Sequence, residues 1–403
     1  MQESKAAGGC VLLIQDTTTL DYSDHPATEG LGTLENKSLR GMLAHTTLAV
    51  GADGMPLGVI KQLVWSRPPE EWGRRTKRHE LAYAEKESYK WVAGLPEPPA
   101  EGIEPNQWVT VCDREAHIYP FLDLLQQRSI GYLVRAARGR STVLGANIDG
   151  AQEGVASCAP LLDAVSGQPL LAEVEIALKR RPDREARSAQ VEIRTATFTL
   201  KRPNNLPTVD KHAYRATLEV GVVEIREPQP PTGEQPVHWL LLTSLPVATQ
   251  AEALHVAYCY TLRWMVERFH YILKSGCKLE ASQLRSVDAL ERLLALYTRV
   301  AWRILQMTHQ ARLTPDVPCT VLLAPEEWQA LWLFRNKSMD FPENPPPLQQ
   351  VVHWIAMLGG FPGRKGDGNP GVKTIWLGWM TLMNYVDFFL AVRPALTKVV
   401  GNA

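Results

Sequence analysis

Several things are scarce in this sequence, and each scarcity excludes something. Its six cysteines, Cys10, Cys112, Cys158, Cys259, Cys277 and Cys319, include no C-x-x-C pair, so neither a disulfide framework nor a zinc site is indicated. They read as cytoplasmic thiols, mostly core filler. No uninterrupted apolar run approaches the roughly 18 residues a membrane helix needs, and the N-terminus MQESKAAGGC lacks the basic-then-apolar pattern of a secretory signal. A cytoplasmic protein with no membrane partner is expected. The formal net charge is +0, which argues against a chain that coats nucleic acid without specificity. No internal repeat is visible, and the GxG-type segments lack the flanking strand and helix of a dinucleotide site.

What is present is a globular composition, 45% hydrophobic and 21% charged, over 403 residues. That length exceeds one ordinary core and points to two or three cooperating units. Basic residues bunch at 74–78, 135–140, 179–181 and 201–202. Singly, such bunches are solvated loops; a shared face would make them a phosphate track.

In chain order, residues 11–16 (VLLIQD) form an apolar run closed by an acid, as a buried strand does when it delivers a side chain at its C-terminal edge. Strands are predicted at 42–50 and 57–65 with a hairpin loop between them, then a helix over 79–95. Residues 108–113 (WVTVCD) repeat the run-then-acid pattern and precede a helix over 116–128. The strand, helix, strand order favours a parallel pair, which would bring Asp16 and Asp113 face to face. The alternatives are a turn-forming aspartate and a helix N-cap. After a strand at 131–135, alternating runs at 170–179, 190–201, 215–226 and 237–244 make the chain β-rich, as an insertion in the core would be. From 251 the pattern is helical, with helices at 260–274, 287–310, 348–358 and 372–392, the last showing more apolar surface than one partner helix covers. The boundaries read as a core over 1–136 and 250–312, a β-rich insertion over 137–249, a connector over 313–346 and a helical C-terminal unit over 347–403.

The chain is organised around residues 260–274, YTLRWMVERFHYILK. On a helix, Tyr260, Arg263, Trp264, Glu267, Tyr271 and Lys274 share one side, while Leu262, Met265, Val266, Phe269, Ile272 and Leu273 occupy the other, buried one. A phenol, a guanidinium, an indole, a carboxylate and an ammonium on one face are groups suited to hold a phosphodiester beside a metal ion. Asp16, Asp113 and Glu267 would repel one another unless a cation neutralised them. An oxygen-only set selects Mg²⁺ or Mn²⁺, and a pair of ions suits in-line phosphoryl transfer. Glycoside hydrolysis also uses paired carboxylates, but has no need of the Tyr-Arg-Lys escort.

The spacing Tyr260-x2-Arg263-x3-Glu267-x6-Lys274 resembles the Y-R-E-K signature of the DDE transposases of bacterial insertion sequences, in particular the insertion-sequence-four family with its Tn-five-type enzyme. LLIQDTT and VCDREAHIY resemble the segments carrying that family's first two catalytic aspartates, here Asp16 and Asp113, with Glu267 the third acid. AEKESYKW, WLLLTSLPV and VVHWIAMLGGF also look like family segments, the last from a dimerisation region. The resemblance implies an α/β fold, a ribonuclease H-like core with a β-rich insertion domain and a small α-helical C-terminal dimerisation domain. It implies cleavage and strand transfer through hairpin ends, and partners that are double-stranded DNA (transposon ends and target) and a second copy of the chain. Tyr260, Arg263 and Lys274 would bind phosphates, Trp239 would stack on a flipped-out base, and Trp264 would stand near it. Read from its own segment, Trp239 is a core strand residue. The family carries a DNA-binding domain ahead of the first catalytic strand, and only ten residues precede Val11 here. The alternative expectation is therefore an N-terminally truncated remnant, inactive or inhibitory, that binds DNA weakly and pairs with full-length enzyme.

Overall fold

The computed structural model describes residues 10–68, 80–97, 107–137, 142–144, 158–178 and 185–400, with the side chains of 144, 208–209 and 394–400 excepted. The basic bunches at 74–78 and 179–181, and 138–140 of a third, lie outside the described residues. The chain divides into two compact units: Met1–Thr19, Leu43–Gly54 and Ile60–Val266 form the first, and Leu20–Met42, Met55–Val59 and Glu267–Ala403 the second.

The first unit is built on one mixed sheet. Strand β1 (Val11–Asp21) runs beside β3 (Arg40–Gly51), itself paired with β4 (Pro56–Trp65). The tips of β1 and β3, with the two-residue β2 (Gly32–Thr33), are grouped in the second unit. On its other side β1 pairs in parallel with β5 (Trp108–Cys112), in the register Ile14 to Val111, and β5 pairs in parallel with β6 (Gly131–Arg135). Leu12, Leu13, Ile14, Trp108, Val111, Leu133 and Val134 are fully buried or nearly so, which is why these strands read as continuous apolar runs and not as alternations. Each such side chain contributes about 1.5–3 kcal/mol of burial.

Past β6 the order continues through β12 (His238–Thr243), β11 (Thr217–Arg226), β10 (Arg187–Lys201), β7 (Thr142–Leu144) and β8 (Cys158–Pro160), with β9 (Ala172–Leu178) also on β10. The β-rich segment is an insertion in sequence, yet its strands extend the core sheet: β12 pairs antiparallel with β6, Leu241 opposite Arg135.

The expected helix over 79–95 is replaced by single turns, Tyr83–Glu85 and Glu87–Tyr89, and the short α1 (Lys90–Ala93). Lys86 between the turns is extended (φ −87°, ψ 146°), and the Tyr83 amide donates to Asp210 Oδ2 instead of to a helix turn. Helix α2 (Tyr119–Gln127) follows, with proline in its first turn, where no amide is missed. The short α3 (Leu161–Ser166) and α4 (Thr208–Lys211) lie within the insertion. Helix α5 (Gln250–Thr261) is capped by Thr249, which accepts from the Glu252 amide while Glu252 reaches back.

The stretch 260–274 is not one regular helix. It runs from the end of α5 through a turn at Leu262 and Arg263, then α6 (Trp264–Tyr271), then a π-helical turn Ile272–Gly276. Arg263, Met265 and Val266 donate to carbonyls three residues back, a 3₁₀ tightening that keeps the chain on course. The boundary between the units falls inside α6.

In the second unit, Ser286 caps α7 (Val287–Leu313) by accepting from the Ala289 amide. The expected connector contains a 12-residue helix, α8 (Pro325–Asn336). Pro325 begins that helix where a sequence reading sees an interruption. Helices α9 (Leu348–Leu358) and α10 (Val372–Val400) pack closely. A Cβ on Gly378 of α10 would lie 1.7 Å from the Ile355 carbonyl oxygen, and one on Gly359 1.9 Å from that of Thr374. By length and composition Val372–Arg393 is also apolar enough to cross a membrane, although no single run in the sequence suggested it.

Candidate active site

Asp16 and Asp113 are brought together by register. Two steps beyond the pair Ile14 and Val111, β1 and β5 set Asp16 opposite Asp113. One step beyond Cys112 and Val134, Asp113 falls beside Arg135. Because β12 is antiparallel to β6, its first residues lie at this same edge, so Trp239 stands two positions past Leu241, the partner of Arg135. Asp16, Asp113, Arg135 and Trp239 thus line one edge of four adjacent strands, on one face of the pleat.

The electrostatics follow from that row. Burial raises the Asp113 carboxyl above its ordinary range, its acceptance of the Glu115 amide at 2.9 Å lowers it, and the charge of Asp16 raises it further; Arg263 offsets part of this. Asp113 is therefore both an N-cap of the turn Arg114–Ala116 and the neighbour of Asp16, so the two readings of that aspartate coexist. The Cys112 thiol is pushed well up, first by burial and then by both aspartates. What faces a cation here is carboxylate oxygen beside a guanidinium. That donor set fits a hard divalent ion. Among the described residues no three His, Cys, Asp or Glu side chains form a metal-holding group.

Arg263 and Arg135 converge on the Tyr260 hydroxyl. Tyr260 is 5% exposed, deeper than a polar helix face suggests. Burial raises its hydroxyl above the ordinary phenol range, while Arg263 and Arg135 pull it back. Arg135 donates to the phenol oxygen and, through Nη2, to the His238 carbonyl at 2.9 Å. Its own guanidinium is lowered first by burial, and Arg114 and Arg263 lower it further. The Trp239 ring meets Tyr260 edge-on, with centroids 5.3 Å apart. The indole is half-buried, so it is not sealed in the core as its apolar neighbours Leu241 and Leu242 are.

Arg135 is the residue that sequence reading missed. The signal was available: GYLVR is an apolar run closed by a charge, the pattern that marked both aspartates.

Along 260–274, Leu262, Met265, Val266, Phe269, Ile272 and Leu273 are all buried, as the wheel requires, while Trp264 is 42% exposed and Glu267 is exposed. Glu267 begins the last segment of the second unit. There Lys274 pairs with Glu280 at 3.2 Å, and Glu280 also accepts from the Asp21 amide. The remaining basic bunch, Lys201 with Arg202, is structural at Arg202, which donates to the carbonyls of Lys211 and Tyr214.

Two family models match the chain. One, described as a transposase DDE domain, matches residues 100–302, a span that holds Asp113, Arg135, Trp239, Tyr260, Glu267 and Lys274 and begins after Asp16. The other, a transposase Tn5 dimerisation domain, matches residues 299–394, from within α7 through most of α10.

Proposed function

The chain belongs to the transposases defined by the DDE domain, DNA-cleaving and strand-transferring enzymes, and from that premise we propose that Asp16, Asp113 and Glu267 are its three metal-binding acids. The observation that carries this reading is the pairing of Asp16 with Asp113 at adjacent parallel strand ends, with Arg263 and Tyr260 beside them. Glu267 joins them by its place in the Tyr260, Arg263, Glu267, Lys274 spacing. Divalent metal is the family's cofactor; we assign Mg²⁺ or Mn²⁺, in a pair, to these carboxylates. When bound, such ions activate a water or 3′-hydroxyl and stabilise the leaving oxygen.

The side chains around the acids have separate tasks in this reading. Arg263 and Arg135 hold the phosphate that precedes or follows the cleaved bond, and the Tyr260 hydroxyl, kept protonated by burial, donates to the same group. Lys274 adds a point charge and must exchange Glu280 for phosphate to do so. Trp239, braced edge-on by Tyr260, offers its open face to an extruded base, with Trp264 as a second aromatic. Extrusion bends the strand end back on itself, which suits a hairpin intermediate. The dimerisation domain supports a homodimer, and the partners are transposon ends and target DNA, met in the cytoplasm.

The test is DNA cleavage by Asp16→Asn, Asp113→Asn and Glu267→Gln with Mg²⁺ or Mn²⁺. Each variant is expected to lose about 10³-fold or more, since several kcal/mol of charge stabilisation go with the metal. A variant that stays folded and cuts at the normal rate removes that acid from the proposal.

A further inference from the structure

On the face of the sheet opposite Asp16, the first unit carries a buried polar chain that its apolar surroundings do not call for. Gln15, His45 and Thr110 are all 0% exposed. Thr110 Oγ1 donates to the Leu13 carbonyl, so its oxygen accepts from Gln15 Nε2, 3.0 Å away. That fixes the Gln15 amide and turns its Oε1 toward His45 Nε2, at 2.9 Å. An amide oxygen only accepts, so Nε2 carries the proton. His45 Nδ1 then accepts from Thr17 Oγ1, also at 2.9 Å. The donors all point one way, from Thr17 on β1 through β3 and back through β1 to β5, an arrangement in which each bond polarises the next.

Nothing around the ring gives it slack. Trp91 meets it edge-on at 4.8 Å between centroids. A Cβ on Gly94 would lie 2.7 Å from Gln15 Oε1 and 2.9 Å from His45 Nε2, so a bare backbone is what fits there. The Gly94 carbonyl is held by the Thr47 hydroxyl at 2.8 Å.

Burying three polar side chains, with Thr17 half-buried at the end of the chain, costs desolvation that an apolar filling would avoid. What the polar chain adds is position. It bonds β1 immediately before and immediately after residue 16, and ties that point to β3 on one side and β5 on the other. Side chains alternate across a strand, so clamping Gln15 and Thr17 from below leaves Asp16 aimed at Asp113 above.

We infer that His45 is a positioning residue for Asp16, acting through Thr17 and Gln15 to hold that carboxylate in the geometry a divalent cation needs. The inference rests on Asp16 being a metal-binding acid. The experiment is a Mn²⁺ titration of the full chain, followed by the electron paramagnetic resonance of free Mn²⁺, for wild type, Asp16→Asn, Thr17→Val, Thr17→Ser and His45→Gln, with a thermal melt of each. Thr17→Val removes the hydroxyl at nearly constant shape; it is expected to weaken Mn²⁺ binding about 10-fold, as loss of a partner behind a metal ligand does, with its melting point within a few degrees of wild type. Thr17→Ser, which keeps the hydroxyl, should restore wild-type binding, and His45→Gln, where folded, should weaken it as Thr17→Val does. Wild-type affinity in Thr17→Val, or equal weakening in Thr17→Val and Thr17→Ser, overturns the inference alone. A wild-type chain that takes up no more Mn²⁺ than Asp16→Asn overturns the acid assignment and the inference together.

Discussion

Gly378 in α10 sets two effects against each other, and the structure decides between them. Replacing a mid-helix glycine by alanine stabilises an isolated helix by roughly 1 kcal/mol, because glycine loses more backbone freedom on folding. Against this, the new Cβ would sit 1.7 Å from the carbonyl oxygen of Ile355, and relieving the overlap requires α9 and α10 to separate by roughly 1 Å or more. The obstacle is backbone, so no rotamer change can absorb it. The reciprocal contact, Gly359 against the Thr374 carbonyl, would be opened by the same movement. Overpacking of this kind costs about 1–3 kcal/mol and sometimes more; an overlap this deep with backbone belongs at the upper end, so after the helix gain the net expectation for Gly378→Ala is a loss of about 2 kcal/mol or more. Urea titration followed by tryptophan emission is the assay, since Trp354 and Trp376 lie on the two helices concerned. An unchanged m-value with a lower midpoint is expected. A Gly378→Ala chain more stable than wild type would mean that propensity wins and that the helices do not approach this closely.

Three further outcomes are expected. Arg135→Ala and Arg263→Ala should each weaken DNA binding and reduce the salt slope by about one charge, measured by fluorescence anisotropy across a salt series; an unchanged slope in either variant removes its phosphate contact. Trp239→Ala should depress hairpin formation more than first-strand nicking, by about 1–3 kcal/mol of lost stacking, and equal loss of both steps on a denaturing gel would make the indole a packing residue. Phe388 is 65% exposed on α10, with Leu377 and Met380 exposed on the same side, so Phe388→Asp should leave the fold intact and shift sedimentation toward monomer; undiminished dimer would move the interface off this face.

Where the strands that carry Asp16 and Asp113 end was written locally, and how the sheet grows was not. LLIQD and WVTVC-Asp announce buried strands ending in acids because a strand covered on both faces leaves no polar position until its end. The pairing of β6 with β12 joins Arg135 to Leu241 across more than a hundred residues, and no local pattern encodes a partner at that distance; hence the insertion reads as a separate body although its strands extend the core sheet. The wheel drawn through 260–274 placed the apolar side correctly despite the turn at Leu262 and Arg263, because one 3₁₀ step shifts the faces by little. It misplaced Tyr260, whose burial depends on Trp239 and Arg135, residues that the helix pattern does not contain. Helix α8 escaped notice because Pro325 is as much a starting signal as a stop. The helix expected over 79–95 failed for the opposite reason: Ala, Glu and Lys favour a helix, and tertiary bonds such as that from the Tyr83 amide to Asp210 outweigh a preference of a few tenths of a kcal/mol per residue.

The row of strands β1, β5, β6 and β12 is also a gauge. Hydrogen-bonded strands keep a spacing of about 4.8 Å, so the backbones that carry the acid at one end and the indole at the other are held roughly 14 Å apart across the sheet, a separation of backbones that side-chain motion cannot alter. On the roles proposed for these residues, a nucleic-acid strand laid along that edge is measured in fixed increments: the base that reaches Trp239 is a set number of linkages from the phosphate that reaches Asp16. Loops elsewhere can change the sequence a protein prefers, but on that reading a change in where this chain cuts relative to the base it grips takes the gain or loss of a whole strand.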